Sequence, residues 1–513
     1  MKMKVKAETV TLVLVNLAGI MESADEALLP GVYKEVGEAL HTDPTGLGSL
    51  TLFRSIVQSS CYPLAAYLAL RHNRAHVISL GAFLWAAATF CVAISSTFFQ
   101  VAVSRGLNGI GLAIVIPAIQ SLVADSTDDS NRGLAFGWLQ LTGNLGSIIG
   151  GLCAVLFAPT SILGVPGWRI AFHLIAVISV IVGILVGLFA NDPHFSKSNS
   201  TARNGVQNQK PFWSDVKDLI KEAKSVIRIP SFQVIVAQGV SGSFAGAAWS
   251  FAPMWLELVG FSHEKTAFLS TIRVIGVSLG GLFGGWMGDI LAKRLPNTGR
   301  TILSQICTAS AIPLTGILLV LLPDDPSLAF MYGLVLFIIG FFTSWAAPAT
   351  NNPIFAEIFP EKSRTSIYAL DESFESMLAS FSPAVVGILA QQVYGYKPNL
   401  KGSSNSVGIE TDRENAASLA KALYVVIGIP SAICCFIYSF LYCTYPRDRE
   451  RARMNALIVS ELHQLDADNS SSSEIDIDYE GDESLGLNET DDKLSLLSHQ
   501  LTPNIQTHCT EEK

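Results

Sequence analysis

Three acids sit inside one apolar stretch: Glu22, Asp25 and Glu26, spaced i, i+3 and i+4. In a helix that spacing places them on one face. Two further apolar stretches carry Arg54 and Arg105. A charge within a bilayer costs roughly 2.5–3.5 kcal/mol on insertion scales, so such groups persist where they face a polar cavity or one another. Carboxyl groups crowded in a low-dielectric site hold protons, and a neighbouring guanidinium opposes that. A conformational change that separated acid from guanidinium would capture or release a proton. Glu22 is the first choice for a proton carrier and Asp25 the second. Arg54 or Arg105 would be the counter-charge, or an anchor for an anionic headgroup. The plain alternative is a structural salt bridge, with Asp25 and Glu26 wetting the mouth of the bundle.

A second set of charges lies further along. Arg273, Asp371 and Glu375 fall in other apolar stretches, with Asp371 and Glu375 on one helical face and Glu372 beside them. They form a candidate second cavity cluster, with an intramembrane structural pair as the open alternative. Asn351-Asn352-Pro353 can break a helix and free backbone carbonyls.

These charges need helices to hold them. Of 513 residues, 50% are hydrophobic and 15% charged, and the mean hydropathy is +0.40. That composition favours a membrane protein over a soluble one. Stretches of about 20 mainly apolar residues, the length needed to span, occur near 8–32, 46–71, 75–96, 98–124, 132–157, 167–190, 232–258, 264–292, 301–322, 327–357, 364–394 and 416–444. The expected fold is an all-α membrane protein of twelve transmembrane helices in two pseudo-symmetric six-helix bundles. The basic start followed by Val10–Ile20 could pass for a signal peptide. The apolar character resumes after Ala27, so a retained first helix is expected. At about 1.5 Å per residue, Glu22, Arg54 and Arg105 fall near one level of a core about 30 Å thick.

The chain divides into an N-terminal bundle over 1–190, a linker over 191–230, a C-terminal bundle over 231–445 and a tail over 446–513. In the linker, Trp213, Val216, Ile220, Ala223 and Ile227 recur at helical spacing, with Lys217, Lys221, Lys224 and Arg228 among the polar positions. This predicts an amphipathic helix, on the cytoplasmic leaflet or packed on the protein's inner face. The tail is acidic and serine-rich, and disorder is expected. Within it, Asp492, Leu496 and Leu497 fit an acidic dileucine signal of the kind that sorting adaptors read. Lys and Arg concentrate on the side holding both termini, so both are expected to be cytoplasmic, in a plasma or vacuolar/lysosomal membrane.

The turns after spans 2 and 8 correspond. The first reads Ala66-Tyr67-Leu68-Ala69-Leu70-Arg71-His72-Asn73-Arg74; the second reads Gly285-Trp286-Met287-Gly288-Asp289, continuing to Lys293-Arg294. This layout resembles the major facilitator superfamily, whose signature is a Gly-x-x-x-Asp turn followed by basic residues. The resemblance covers about 8–444. The second copy keeps Asp289; the first has Leu70 and Ala66 where the family has Asp and Gly. It implies a gating latch resting on Arg71, Arg74, Asp289, Lys293 and Arg294. Arg105-Gly106-Leu107-Asn108-Gly109, Gly146-Ser147-Ile148-Ile149-Gly150 and Phe359-Pro360-Glu361-Lys362-Ser363-Arg364 are similar to other family segments. Glu22-Ser23-Ala24-Asp25-Glu26 resembles the first-span motif of the spinster-like branch, with Glu26 where that branch has Arg, and implies lysolipid-like substrates.

The expected function is secondary transport by alternating access, coupled to protons, of a small organic or amphiphilic solute. The expected partners are membrane lipids, the solute and protons. A transporter-like sensor or scaffold signalling through the tail is the alternative, and a channel is weakened by the lack of a filter. No phosphate loop, nucleophile constellation, metal set or nucleic-acid motif is present, so the expectation is a monomeric non-enzyme without cofactor or metal.

Overall fold

Twelve long helices follow one another along the chain in a computed structural model that describes residues 2–41, 44–157, 160–162, 164–192, 212–396 and 405–472. Spans 1 to 6 are Lys2–Gly31, Pro44–Arg71, Arg74–Ile94, Phe98–Asp125, Arg132–Phe157 and Gly167–Phe189. Spans 7 to 12 are Pro230–Val259, His263–Arg294, Gly299–Leu321, Pro326–Ile358, Glu361–Val393 and Asn405–Tyr438. Among the described residues, nine of these helices are long and apolar enough to cross a membrane. Spans 1, 2 and 5, of 30, 28 and 26 residues, complete the twelve.

Local signals start the helices where expected. The Asn73 side chain accepts from the Ala75 amide and caps span 3. Thr97 and Gln100 form a reciprocal capping box on span 4. Spans 9, 10 and 11 each contain a π-helical turn, at Ile317–Leu321, Ala347–Asn351 and Leu389–Val393.

Residues up to Arg453 form one compact unit. Within it, span 1 packs on spans 5 and 6, span 2 on span 4, and span 3 on spans 4 and 6. In the second half, span 7 packs on spans 11 and 12, span 8 on span 10, and span 9 on span 12. The halves meet along spans 5 and 8 and along spans 2 and 11. Glycines permit both kinds of contact. A Cβ at Gly146 or Gly150 of span 5 would lie 2.2 Å from the Ile20 or Ala24 carbonyl oxygen of span 1. Between halves, a Cβ at Gly285 would lie 2.1 Å from the Gly133 carbonyl oxygen, and one at Gly137 would lie 2.9 Å from that of Gly281. No side chain fits such approaches.

Two segments outside the spans bear on the sequence expectations. The linker helix Phe212–Ile227 touches spans 2, 7 and 11; Val226 is buried against the protein while Ile220 stays exposed. The expected disorder from residue 446 is corrected as far as residue 472, because a helix runs from Leu441 to Ser472. Its first turns are anchored. Tyr445 and Asp448 are buried, and Asp448 accepts from the Ser231 amide at 2.9 Å, capping span 7. The dileucine-like residues Asp492, Leu496 and Leu497 lie outside the described residues.

Candidate functional site

The end where span 1 begins and span 12 finishes is called basal here. At that end the halves are tied together by polar contacts. Asp289, at the span 8 turn, accepts from the amides of Gly133 and Leu134 at 3.0 and 2.9 Å. Those amides belong to the first turn of span 5, where unpaired backbone donors and the helix dipole favour an anion. Arg300 at the start of span 9 holds Asp289 from behind at 3.2 Å. On the other seam, Arg364 of span 11 pairs with Asp125 of span 4, and Ser121 and Thr365 share a hydrogen bond of 2.8 Å.

The basal contacts between the halves include one residue of the expected gating set, Asp289. Arg74, which is in the expected set, is buried and pairs with Asp125 at 2.5 Å and Asp192 at 2.6 Å, so it holds Asp125 from behind as Arg300 holds Asp289. Arg71 lies over the Tyr67 ring, 5.6 Å from its centroid, and Lys293 and Arg294 are exposed. Arg364, which crosses the seam to Asp125, and Arg300, which backs Asp289, are not in the expected set. Arg364 closes the quoted Phe359–Arg364 segment, which was the available signal. Asp125, at the end of span 4, is the acid that Arg74 and Arg364 share.

Helix breaking at Asn351-Asn352-Pro353 has a structural use. Pro353 has no N–H, which leaves the Ala349 carbonyl without its helical partner. Arg300 donates to it at 2.6 Å, Tyr368 donates to the Asn352 carbonyl at 2.9 Å, and Tyr438 donates to Asn351 Oδ1 at 2.9 Å. The broken helix thus positions Arg300 for Asp289.

Midway along the molecule the seam continues through side-chain hydrogen bonds. Gln120 of span 4 donates to Glu372 of span 11 at 2.7 Å, Ser59 and Ser376 share a bond of 2.8 Å, and Ser373 donates to the Ser59 carbonyl at 3.1 Å. A cavity of about 640 Å³ lies between the halves, with Glu22, Gln120, Gln140, Asn144, Arg273, Glu372 and Glu375 in its wall.

The five N-half charges gather but do not all face this cavity. Glu22 reaches it and accepts from Ser23 at 3.0 Å. Glu26 is paired with Arg54. Asp25 is fully buried among spans 1, 3 and 4, accepting from Thr89 and from Asn108 at 2.6 Å, with Arg105 in Coulombic range. Asn108 lies within the quoted Arg105 segment but was not expected to serve Asp25. Asp25, Glu26, Arg54 and Arg105 lie outside the cavity wall.

The expected C-half cluster is also divided. Glu375 faces the cavity and accepts from Ser243 at 2.7 Å. A Cβ at Gly239 would collide with its carboxyl group, so Gly239 makes room for it. Arg273 lines the cavity but packs over Trp249, 4.4 Å from the ring centroid, an arrangement that suits a desolvated guanidinium. Asp371 is buried outside the wall, and its place beside Glu375 is taken by Glu372. Asp371 and Glu375 do share a helical face in an ideal helix, but the cavity sits between the two stripes.

Two six-helix halves around an acid-lined cavity, joined at the basal end by polar contacts, define a membrane protein of the two-bundle class. The chain belongs to the Major Facilitator Superfamily, whose family model matches residues 15–381 and 234–462. It is 25% identical over 252 residues to the "Sphingosine-1-phosphate transporter SPNS2" of Xenopus tropicalis, covering 48% of this chain and 44% of the relative. To the galacturonate transporter of Dickeya chrysanthemi it is 23% identical over 249 residues, covering 46% and 69%. The matched region thus spans under half the length of the first relative. Among solved structures, a bacterial homologue of the human lysosomal transporter Spinster, inward-facing and unoccupied, superimposes with a TM-score of 0.58 at 17% identity, covering 86% of this chain and 98% of that one. The proton:xylose symporter XylE does so with a TM-score of 0.63 at 14% identity, covering 85% and 96%. The spinster-like resemblance read in the first span has counterparts in both comparisons.

Proposed function

We propose that the chain is a secondary transporter that works by alternating access and couples the movement of a small organic or amphiphilic solute to protons. The observation that carries this reading is the cavity of about 640 Å³ between two halves that polar contacts join at the basal end. Its size lies within the range of about 300–1,000 Å³ typical of small-molecule sites. The halves are joined by hydrogen bonds and ion pairs along two seams, so rocking one half on the other exchanges those contacts for water without unfolding either bundle.

Glu22 is the proposed proton carrier. It is the N-half acid in the cavity wall, its hydrogen-bond partner is a neutral serine, and Arg54 is already engaged by Glu26. Access from one side loads a proton, and basal opening exposes Glu22 to the other side. Names of relatives, a sphingosine-1-phosphate transporter and a galacturonate transporter, support an organic solute. The test has two parts. An unbiased metabolite and lipid comparison of cells with and without the protein finds the solute. Uptake of that solute into vesicles is then driven by a pH gradient. Glu22→Gln should abolish the pH dependence; a variant that keeps it sinks Glu22 as carrier.

A second reading, a transporter-like sensor, has one observation in its favour. Tyr445 and Arg449 of the terminal helix bind Glu357, which meets Arg300 at 3.3 Å and through it Asp289. The region beyond span 12 thus touches the latch. Solute binding without flux in reconstituted vesicles would favour the sensor.

A further inference from the structure

Charge is unevenly divided around the cavity. Its wall carries three carboxyl groups, Glu22 from span 1 and Glu372 and Glu375 from span 11, against one guanidinium, Arg273. Among the described residues no basic side chain pairs with any of these acids. Their hydrogen-bond partners are all neutral: Ser23, Gln120 and Ser243. Arg54 lies in Coulombic range of Glu22 but is paired with Glu26, and Arg105 lies beside Asp25; neither lines the cavity. Arg273 is held against Trp249.

The acids of the two halves also act on one another. Glu372 lies in Coulombic range of Glu26, and Tyr62 lies in range of Glu22, Glu26 and Glu372. Carboxyl groups gathered in a desolvated enclosure repel, and a cation brought among them relieves that repulsion while an anion adds to it. A separate observation points to a ligand at this place. Gln120 Oε1 and Asn144 Nδ2, an acceptor and a donor on residues of the same wall, are buried without a hydrogen-bond partner. A native structure seldom leaves such atoms unmatched.

We infer that the solute carries a positively charged amine, seated against Glu372 and Glu375 with Glu22 facing it. The inference rests on the transporter reading and narrows it. It also displaces the sequence-based idea that Arg54 or Arg105 anchors an anionic headgroup, since neither reaches the cavity. The amine's N–H donors, or its bare charge when quaternary, replace the missing basic partners of the two span 11 acids. The solute's remaining polar groups meet Gln120 and Asn144.

The test uses the full-length protein in lipid nanodiscs and one matched set of probes: phenethylamine, 2-phenylethanol and phenylacetate. The amine should raise the melting temperature in a saturable way, and the alcohol and carboxylate should bind at least tenfold more weakly. The Glu372→Gln/Glu375→Gln double variant should lose the amine preference. A second measurement needs no variant: carbodiimide labelling of Glu372 and Glu375, read by peptide mass spectrometry, should be slowed by phenyltrimethylammonium and not by tert-butylbenzene. Equal binding of the isosteres, no amine-dependent effect in either assay, or tighter binding of the carboxylate overturns the inference. Amine binding without flux in vesicles would instead sink the transporter reading and leave the amine site standing. Flux of amine-free solutes alone would do the reverse.

Discussion

At the scale of single residues, the acids of span 1 divide into unlike roles despite their shared helical face. Asp25 is satisfied by Thr89 and Asn108 and faces Arg105 in a site closed to solvent. Removing one member of such a network costs more than the network contributes, because it leaves the opposing charge buried. Asp25→Ala should therefore destabilise the protein by about 3–5 kcal/mol, measured as a large fall in the melting temperature of the purified protein. Glu22→Gln should leave that temperature nearly unchanged, since the group that donates to Glu22 is a serine on the same helix. A similar loss in both variants would mean that Glu22 is structural.

At the scale of elements, the glycines of span 5 perform two jobs at different positions. Gly146 and Gly150 let span 1 lie against span 5 within one half, while Gly133 and Gly137 let span 8 lie against it across the seam. Gly146→Val should prevent correct folding, as no motion of the halves relieves the clash with the Ile20 carbonyl. Gly137→Val should fold, because opening the basal seam removes its clash. The check is thiol labelling of a cysteine introduced at the basal end, which should become faster in Gly137→Val while Gly146→Val yields little folded protein. Asp289→Ala acts on the same seam. Loss of charge-assisted bonds to the Gly133 and Leu134 amides, about 1.5–3 kcal/mol, should shift the population toward basal opening by roughly 10- to 150-fold. Labelling no faster than in the unaltered protein would show that the Asp125–Arg364 seam alone sets the closed state.

At the scale of the whole molecule, the two seams are built from different parts. One uses a helix N-terminus and a carboxylate, the other an ion pair between Asp125 and Arg364. The first seam is also connected through Arg300 and Glu357 to Tyr445 and Arg449. Tyr445→Phe combined with Arg449→Ala should loosen the Asp289 seam without touching the cavity, raising basal thiol labelling several-fold while amine binding stays within twofold. Labelling unchanged by this pair would separate the terminal helix from the gate.

Much of this architecture is legible in the chain, because spanning depends on local properties. A run of about 20 apolar residues must form a helix in lipid, since its backbone has no other partners there, and the observed spans follow those runs closely. The turn at Asp289 and the buried charges of span 1 are equally visible as residue types out of place. The helix beyond residue 446 was not, because its anchors, Tyr445 to Glu357 and Asp448 to the span 7 amide, come from elements about 88 and 217 positions away. The same holds for partner choice in the interior. Arg74 stands next to the first turn but turns to Asp125 and Asp192, and Glu372 rather than Asp371 enters the cavity. Sequence alone determined the number of spans, their approximate bounds along the chain and which of their residues are ionisable. Only the tertiary structure decided which of those charges meet one another and which face open space, because a side chain's surroundings depend on the rotation and packing of helices distant along the chain.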